Sequence, residues 1–553
     1  MGTYLGTKLA SALLILSQVF CSPAIQVNTT YGEIIGSNTM RTRNGRVIFS
    51  FTGIPYAKAP IKTLRFKEPE PIAPWKTPFN ATNNGPFCVN VNFITQYGTL
   101  KNNPPISGQE DCLILNVFSP KVDKAAKLPV ILFIHGGGFS QGAGALYGPE
   151  YLLDRDVVLV TFNHRLFVFG FLSTGDDILP ANVGLKDQAL VIRWVHENIA
   201  NFGGDPNLIT LMGESSGSGS CHLNLLSPVN KGLIHRGIAM SGTGFNPWAV
   251  TDSAVAKNRT LTLAKLVGCP SESSNDLLKC IQDISVEKLI QMAKTLFEWL
   301  VSPVILFGPT MEPNAKNAFL PVDPRQLDSQ VPLLLGISSG EGAVVASILF
   351  AAGAQYEKDI KERPLDILPK LLLLSEMFPQ DKIDTVSKEI LKFYCGSKPI
   401  DRNTTQGIID MVTDDWFFAG SVEAVSKYGG NVYFYYYDYS QSVSFTSIFG
   451  TGQVKAVCHT DILLNLFPLP VFFPNRTLTK TDVTVSEKII DIWTGFAKKG
   501  SPSENLRWSP TAKTASISKF LHITAGGLQV QENLLQKRVD FWVSLRASNP
   551  KTN

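Results

Sequence analysis

The chain shows no excess of charge of one sign. Its 553 residues carry 50 Lys and Arg against 46 Asp and Glu, a net of +4. No basic block runs along it, so a phosphate backbone would find no electrostatic track, and nucleic acid is excluded as a partner. Internal repeats, low-complexity tracts and Gly/Ser-rich linkers are absent. That favours one large domain with inserted loops and helices over several linked modules. Beyond the N-terminus there is no uncharged apolar run of about 18 residues, so no membrane anchor is expected. The C-terminal stretch Ser548 to Asn553 has neither a hydrophobic tail nor a retention tetrapeptide.

Residues 1–21 read as a signal peptide, leaving 22–553 as the mature domain. Lys8 supplies a positive start, Leu9 to Phe20 is mostly apolar, and small residues follow a cut after Cys21. That run is too short to cross a bilayer core of about 30 Å. Five N-x-S/T sequons, at Asn28, Asn80, Asn258, Asn403 and Asn475, agree with a secreted protein. Of the eight cysteines, Cys88 with Cys112 and Cys269 with Cys280 would each close a loop, leaving Cys221, Cys395 and Cys458 free. Spacing alone does not fix that connectivity.

The middle of the chain alternates strands and helices. Leu128 to Ile134 and Val157 to Phe162 are continuous apolar runs, the pattern of parallel strands buried on both faces. Leu208 to Met212, Ile238 to Met240, Val331 to Ile337 and Val432 to Tyr437 read as further strands. Gln188 to Ile199 and Ser486 to Lys498 have helical spacing. This order predicts an α/β fold, a mostly parallel central sheet flanked by helices, with sites at the C-terminal ends of strands.

Two glycine motifs sit at such ends. Gly213-Glu214-Ser215-Ser216-Gly217 follows an apolar strand and precedes a helix. A serine centred between glycines fits a tight strand-to-helix turn, because small neighbours two residues either side let strand and helix approach. The turn presents the hydroxyl as a nucleophile. Ser216 is the rival, but it is not centred. His135-Gly136-Gly137-Gly138-Phe139 follows the Leu128 to Ile134 strand. Its bare backbone can donate two N–H groups to an oxyanion, with the N–H of Ser216 as a third donor. No G-K-[ST] follows, so a phosphate-binding P-loop is excluded.

A serine nucleophile needs a base and an acid, in the order Ser, acid, His for this arrangement. Of seven histidines, His135, His164, His196, His222 and His235 come too early. His522 sits in a short late strand, Phe520 to Ile523. His459 lies on a loop beyond Val432 to Tyr437 and is preferred as the base. Glu341 follows Val331 to Ile337 on a glycine-flanked loop and is the candidate acid, with Asp414, Asp415 and Asp461 as rivals.

From about Gly32 to Leu545 the sequence resembles the type-B carboxylesterases, which share the α/β-hydrolase fold with cholinesterases. The motifs are Phe51-Thr52-Gly53-Ile54-Pro55-Tyr56-Ala57, Glu110-Asp111-Cys112-Leu113-Ile114-Leu115-Asn116-Val117, Gly184-Leu185-Lys186-Asp187-Gln188 and Phe202-Gly203-Gly204-Asp205-Pro206, together with the two glycine motifs. The likeness is strongest to insect members. It implies a secreted carboxylic ester hydrolase with inserted helices around an active-site gorge, working without metal or cofactor on a small-molecule ester. It implies Ser215, Glu341 and His459 as catalytic triad, Gly137, Gly138 and Ser216 as oxyanion donors, and both disulfides. It also implies an Arg65–Glu110 ion pair, Glu214 and Ser241 buried beside the triad, and Trp248 in the acyl pocket.

The sequence departs from the family pattern in places. Gly340 stands where Asp or Asn is usual, Ser216 replaces Ala, His164 and Phe167 replace Tyr and Gly, and Ile462 replaces an acidic residue. No tryptophan lies between Cys88 and Cys112, so a choline cation lacks its best aromatic platform. Members that hydrolyse juvenile hormone usually carry Gln at the position of Glu214, which disfavours that substrate. Two other readings use the same resemblance: slow-turnover sequestration of toxic esters, and a non-catalytic adhesion homologue, which the intact Ser, Glu and His disfavour.

Overall fold

The apolar runs become strands with no exposed face. Leu128–Ile134, Val158–Phe162 and Leu333–Ser338 are buried almost throughout, as expected of parallel strands covered on both sides. The structure is a computed structural model, and it describes residues 25–92, 106–313, 315–450, 452–502 and 504–550. The signal-peptide reading of residues 1–21 lies outside the described residues.

Apart from the short pair Asn90–Val91 and Ile106–Ser107, the described strands form one 13-stranded sheet, in which Phe79–Asn80 pairs with Gly32–Arg41 off the main path. Its parallel centre runs in the order Val158–Phe162, Leu128–Ile134, Gly204–Glu214, Arg236–Met240, Leu333–Ser338, Val432–Tyr437 and Lys519–Thr524. An antiparallel meander, Ile25–Thr29, Gly32–Arg41, Val47–Pro55 and Ile114–Ser119, extends one edge, and Gly527–Glu532 closes the other. This is the α/β-hydrolase architecture, with helices such as Ser216–Leu226 and Lys480–Lys499 packed on the central strands.

The order of the strands positions the site. After Leu128–Ile134 the chain turns to Val158–Phe162 on one side, then crosses back to Gly204–Glu214 on the other. Connections that diverge like this leave a crevice above the carboxyl ends of the strands. The register is Gly213 beside Ile134, so the two glycine motifs emerge side by side.

The elements run longer than the periodicity predicts, for identifiable reasons. The helix expected from Gln188 begins at Val183. Its first turn, Val183 to Asp187, is buried all round, so it carries no amphipathic pattern. The helix expected from Ser486 begins at Lys480, where Thr479 and Asp482 exchange backbone and side-chain bonds as a capping box. Between Leu333–Ser338 and Val432–Tyr437 lies a run of inserted helices, including Ala343–Ala352, Ile383–Cys395 and Thr405–Thr413. Thr405–Thr413 continues into a π-helical turn at Asp414–Phe418.

Both expected disulfides are present, Cys88–Cys112 with Cα atoms 4.9 Å apart and Cys269–Cys280 with 5.7 Å. Cys221, Cys395 and Cys458 are free and buried. Among the described residues, no helix is long and apolar enough to cross a membrane.

A buried ion pair fixes the chain after Val158–Phe162. Arg165 donates from Nε and Nη2 to the two carboxylate oxygens of Asp187 at 2.9 and 2.7 Å, and its backbone N–H adds a bond of 3.0 Å. Neither side chain is more than 4% exposed. Asp187→Asn would leave a buried guanidinium without its counter-charge, so it should lower unfolding stability by about 3 kcal/mol or more. Denaturant unfolding of the purified variant measures this.

Candidate active site

The turn after Gly204–Glu214 forces Ser215 into a conformation most residues avoid, φ 59° and ψ −126°. The glycines around it are required by contact. A Cβ at Gly213 would overlap the carbonyl of Gly217, and a Cβ at Gly217 would overlap the carbonyls of Ile134 and His135. The Ser215 N–H is held by Met240 O at 2.9 Å, and its carbonyl accepts from Gly219 N in the next helix.

Ser215, His459 and Glu341 come together although 244 and 118 residues separate the successive partners. Glu341 Oε2 lies 2.6 Å from His459 Nδ1. An ionised carboxylate only accepts, so Nδ1 carries the proton and Nε2 is left as an acceptor. The Ser215 hydroxyl donates to that Nε2 at 2.7 Å. The other oxygen of Glu341 accepts from Ser241 Oγ at 2.5 Å and from Ser338 N at 2.6 Å. Glu341 is fully buried, and these bonds are what make a carboxylate tolerable there. A backbone bond from Gly340 N to Val457 O, 3.0 Å, joins the loop of Glu341 to the loop of His459.

The rival residues are committed elsewhere. Asp414 is held by Arg538 and Tyr394. Asp461 accepts from the N–H groups of Phe445 and Cys458 and from Ser444 Oγ, all within 2.9 Å. Asp415 is buried with no hydrogen bond, and burial pushes its carboxyl well above the ordinary carboxylate range. His522 sits on Lys519–Thr524 with Asp438 at 3.3 Å. His135, His164 and His222 are driven by burial down to about 3, 4 and 3 respectively, so they are uncharged at neutral pH.

The glycine loop runs beside Ser215. Gly137 and Gly138 have φ of 112° and 61°, a region open to glycine. No hydrogen bond among the described residues occupies the N–H of Gly137, Gly138 or Ser216, and all three residues line the same cavity as Ser215 and His459. The loop closes on itself through Ser140 N and Gln141 N, each 3.1 Å from Gly137 O.

Glu214 Oε1 lies 3.5 Å from His459 Nε2. Burial pushes its carboxyl up to about 8. Burial also opposes charge on His459, but the carboxyl groups of Glu214 and Glu341 outweigh it and raise the imidazole above its ordinary 6.5. The two groups titrate together, and a proton entering the pair is shared between them.

The cavity of about 240 Å³ is mostly apolar. Trp248 lines it as expected, joined by Trp416, Phe417, Val304, Phe445 and Phe472. The indole of Trp248 donates to Trp416 O at 2.6 Å, and the ring of Phe417 lies 4.6 Å from that of His459. Trp416 and Phe417 belong to the π-helical turn and were not identifiable from sequence, because nothing local distinguishes them from core aromatics. Asn90 was missed too: it accepts from Gly142 N and braces the glycine loop from a distant segment. Arg65 meets Glu110 at 2.6 Å and also donates to the carbonyls of Gln282 and Ile284, so this pair anchors the chain just after the second disulfide.

Residues 23–542 match the carboxylesterase family. A juvenile hormone esterase of Tribolium castaneum is 35% identical over 93% of this chain and 93% of its own length. Esterase FE4 of Myzus persicae is 35% identical over 91% of this chain and 89% of its own. A carboxylic ester hydrolase of Bombus ignitus is 34% identical over 96% of each.

The electrostatics around His459 give a direct test. Its imidazole should titrate above 6.5, and replacing Glu214 by Gln should move that midpoint down, because a carboxylate that favours the imidazolium is removed. NMR observation of the ring protons in both proteins measures the shift.

Proposed function

The chain belongs to the carboxylesterase family and is a carboxylic ester hydrolase; from that premise we propose that it is a secreted serine esterase working through Ser215, His459 and Glu341. The observation that carries this is the continuous hydrogen-bonded line from Ser215 Oγ through both nitrogens of His459 to Glu341.

Each group has a role that follows from its chemistry. His459 Nε2 accepts the hydroxyl proton as Ser215 Oγ attacks the ester carbonyl. Glu341 holds the tautomer and favours the imidazolium that forms. The N–H groups of Gly137, Gly138 and Ser216 receive the negative charge that develops on the carbonyl oxygen. The imidazolium returns its proton to the departing alcohol. Water then repeats the sequence on the acyl-enzyme, releasing the acid and restoring Ser215. No step needs a metal or a cofactor.

Cavity chemistry supports an uncharged, largely apolar ester. Among the described residues that line it there is no Lys or Arg, and the ionisable groups beside the nucleophile are Glu214 and His459. An anionic leaving group would find no counter-charge, and burying it unpaired is costly. A choline ester lacks its tryptophan platform between Cys88 and Cys112. Juvenile hormone belongs in a substrate panel because a relative is named for it, although Glu214 stands where Gln is usual.

Several features support secretion and glycosylation. All five sequon asparagines, Asn28, Asn80, Asn258, Asn403 and Asn475, are exposed, and the two disulfides suit an oxidising compartment.

Wild-type protein should be labelled by a fluorescent fluorophosphonate and should hydrolyse short neutral aryl esters. Ser215→Ala should lose labelling and cut kcat by at least about 10⁴; full activity in that variant would refute the assignment. The base must be neutral to work, so kcat/KM should fall as pH drops through the raised pKa of His459, placing the acid limb above 6.5. A pH–rate profile with an acid optimum would exclude His459 as base.

A further inference from the structure

The oxyanion donors sit on a loop that cannot place itself. Gly136, Gly137 and Gly138 have no side chains to pack, so beyond the Asn90 brace and the loop's own bonds their position depends on the residues at each end. Donors are effective only when fixed in advance where charge will develop.

At the entry, His135 Nδ1 donates to Gly136 O at 2.9 Å. Its ring is stacked on that of His164, with centroids 4.7 Å apart and planes inclined by 10°. Both rings are 2% exposed and uncharged at neutral pH, so the stack carries no repulsion. The carbonyl of His135 is also one of the atoms against which Gly217 packs. A displacement of His135 would therefore disturb both the glycine loop and the turn at Ser215. At the exit, Phe139 O accepts from Phe167 N at 2.6 Å. Both residues adopt left-handed conformations, φ 53° and 51°, a strain that persists only where surroundings enforce it. His164 and Phe167 flank Arg165, which the buried bond to Asp187 immobilises. They are also two of the positions at which this chain departs from its family.

We infer that the segment from His164 to Phe167 is a clamp that sets the oxyanion donors in place, with His164 as the positioning residue at the loop's entry through its stack on His135. This rests on the serine-esterase reading. The clamp touches no substrate. It acts by holding Gly137 and Gly138 where the oxyanion forms, so its loss weakens the transition state and leaves ground-state binding alone.

His164→Leu keeps the buried volume and removes the flat ring. Its active sites would be titrated with a fluorophosphonate, and kcat, KM and the Ki of an alkyl trifluoromethyl ketone measured per titrated site. That ketone adds Ser215 Oγ to its carbonyl carbon, the C=O bond opens to an oxyanion, and His459 takes the hydroxyl proton. The expected result is a fall in kcat of about 10-fold or more, a parallel rise in ketone Ki, and a KM within about two-fold of the parent. His164→Phe restores a ring and should bring kcat and Ki back to within about three-fold. A folded, fully labelled His164→Leu with parent-like kcat and Ki overturns the clamp, as does a kcat loss with Ki unchanged. If His164→Leu does not fold, His164→Phe decides: parent-like kcat and Ki are expected, and a parallel loss of both overturns the stack's role. A parent protein that the fluorophosphonate fails to label refutes the esterase reading instead.

Discussion

Gly217 lies so close to the carbonyls of Ile134 and His135 that no side chain fits between them, and the geometry of the site follows from that contact. It joins the start of the nucleophile's helix to the end of the neighbouring strand. One side of the contact carries Ser215 and the N–H of Ser216; the other carries the glycine loop. Because the two strands are in register, Gly213 beside Ile134, the proposed donors and the proposed nucleophile are referred to a single rigid backbone junction. A methyl group at position 217 would push Ser215 away from the backbone of the glycine loop.

Glu341 and His459 reach that junction by a different route. They sit on loops beyond two adjacent strands, Leu333–Ser338 and Val432–Tyr437, and the bond from Gly340 N to Val457 O joins those loops directly. Three buried carboxyl groups then surround one imidazole. Glu341 is satisfied by Ser241, Ser338 and His459. Asp461 is satisfied by Phe445, Ser444 and Cys458. Glu214 alone of the three keeps an oxygen without a hydrogen bond; burial raises its carboxyl to about 8, opposed by His459 and aided by Glu341, while burial raises Asp461 to about 7 despite its donors. A buried carboxyl group that lacks donors resists ionisation, so Glu214 and His459 share one proton as a coupled pair. The neighbour of Ser215 is thus suited to follow the charge on His459 without competing with Glu341 for its position.

What was legible in the sequence is what backbone sterics impose locally. Gly213, Ser215 and Gly217 announce a tight turn, and Gly136 to Gly138 announce exposed donors, because those conformations tolerate few other residues. Continuous apolar runs announce the central strands for the same kind of reason. Elimination among seven histidines reached His459, and position after a strand reached Glu341, the two residues that the structure hydrogen-bonds in line with Ser215. The buried first turn of Val183–Asn198 did not show, since burial on every side erases periodicity. Trp416 and Phe417 did not show, since a π-helical turn depends on tertiary packing. Nor did the stacking of His135 on His164, because the two residues meet across strands and neither has a distinctive neighbourhood in the chain.

The inserted helices supply part of the cavity wall, Val344, Val345, Ile348, Trp416 and Phe417, and that part is mechanically tied to His459. Phe417 packs on the ring of His459, and Trp416 O receives the indole of Trp248. Asp461, two residues from the base, holds the N–H of Phe445, which lines the far side. A substitution that reshapes this wall also moves the imidazole or loosens its loop. The wall therefore cannot diverge freely while the triad stays fixed. With His459 as the proposed base, substrate range and turnover would be coupled through Phe417 and Asp461, and changes in the wall should be accommodated first at positions such as Val471, which lines the cavity and is 61% exposed.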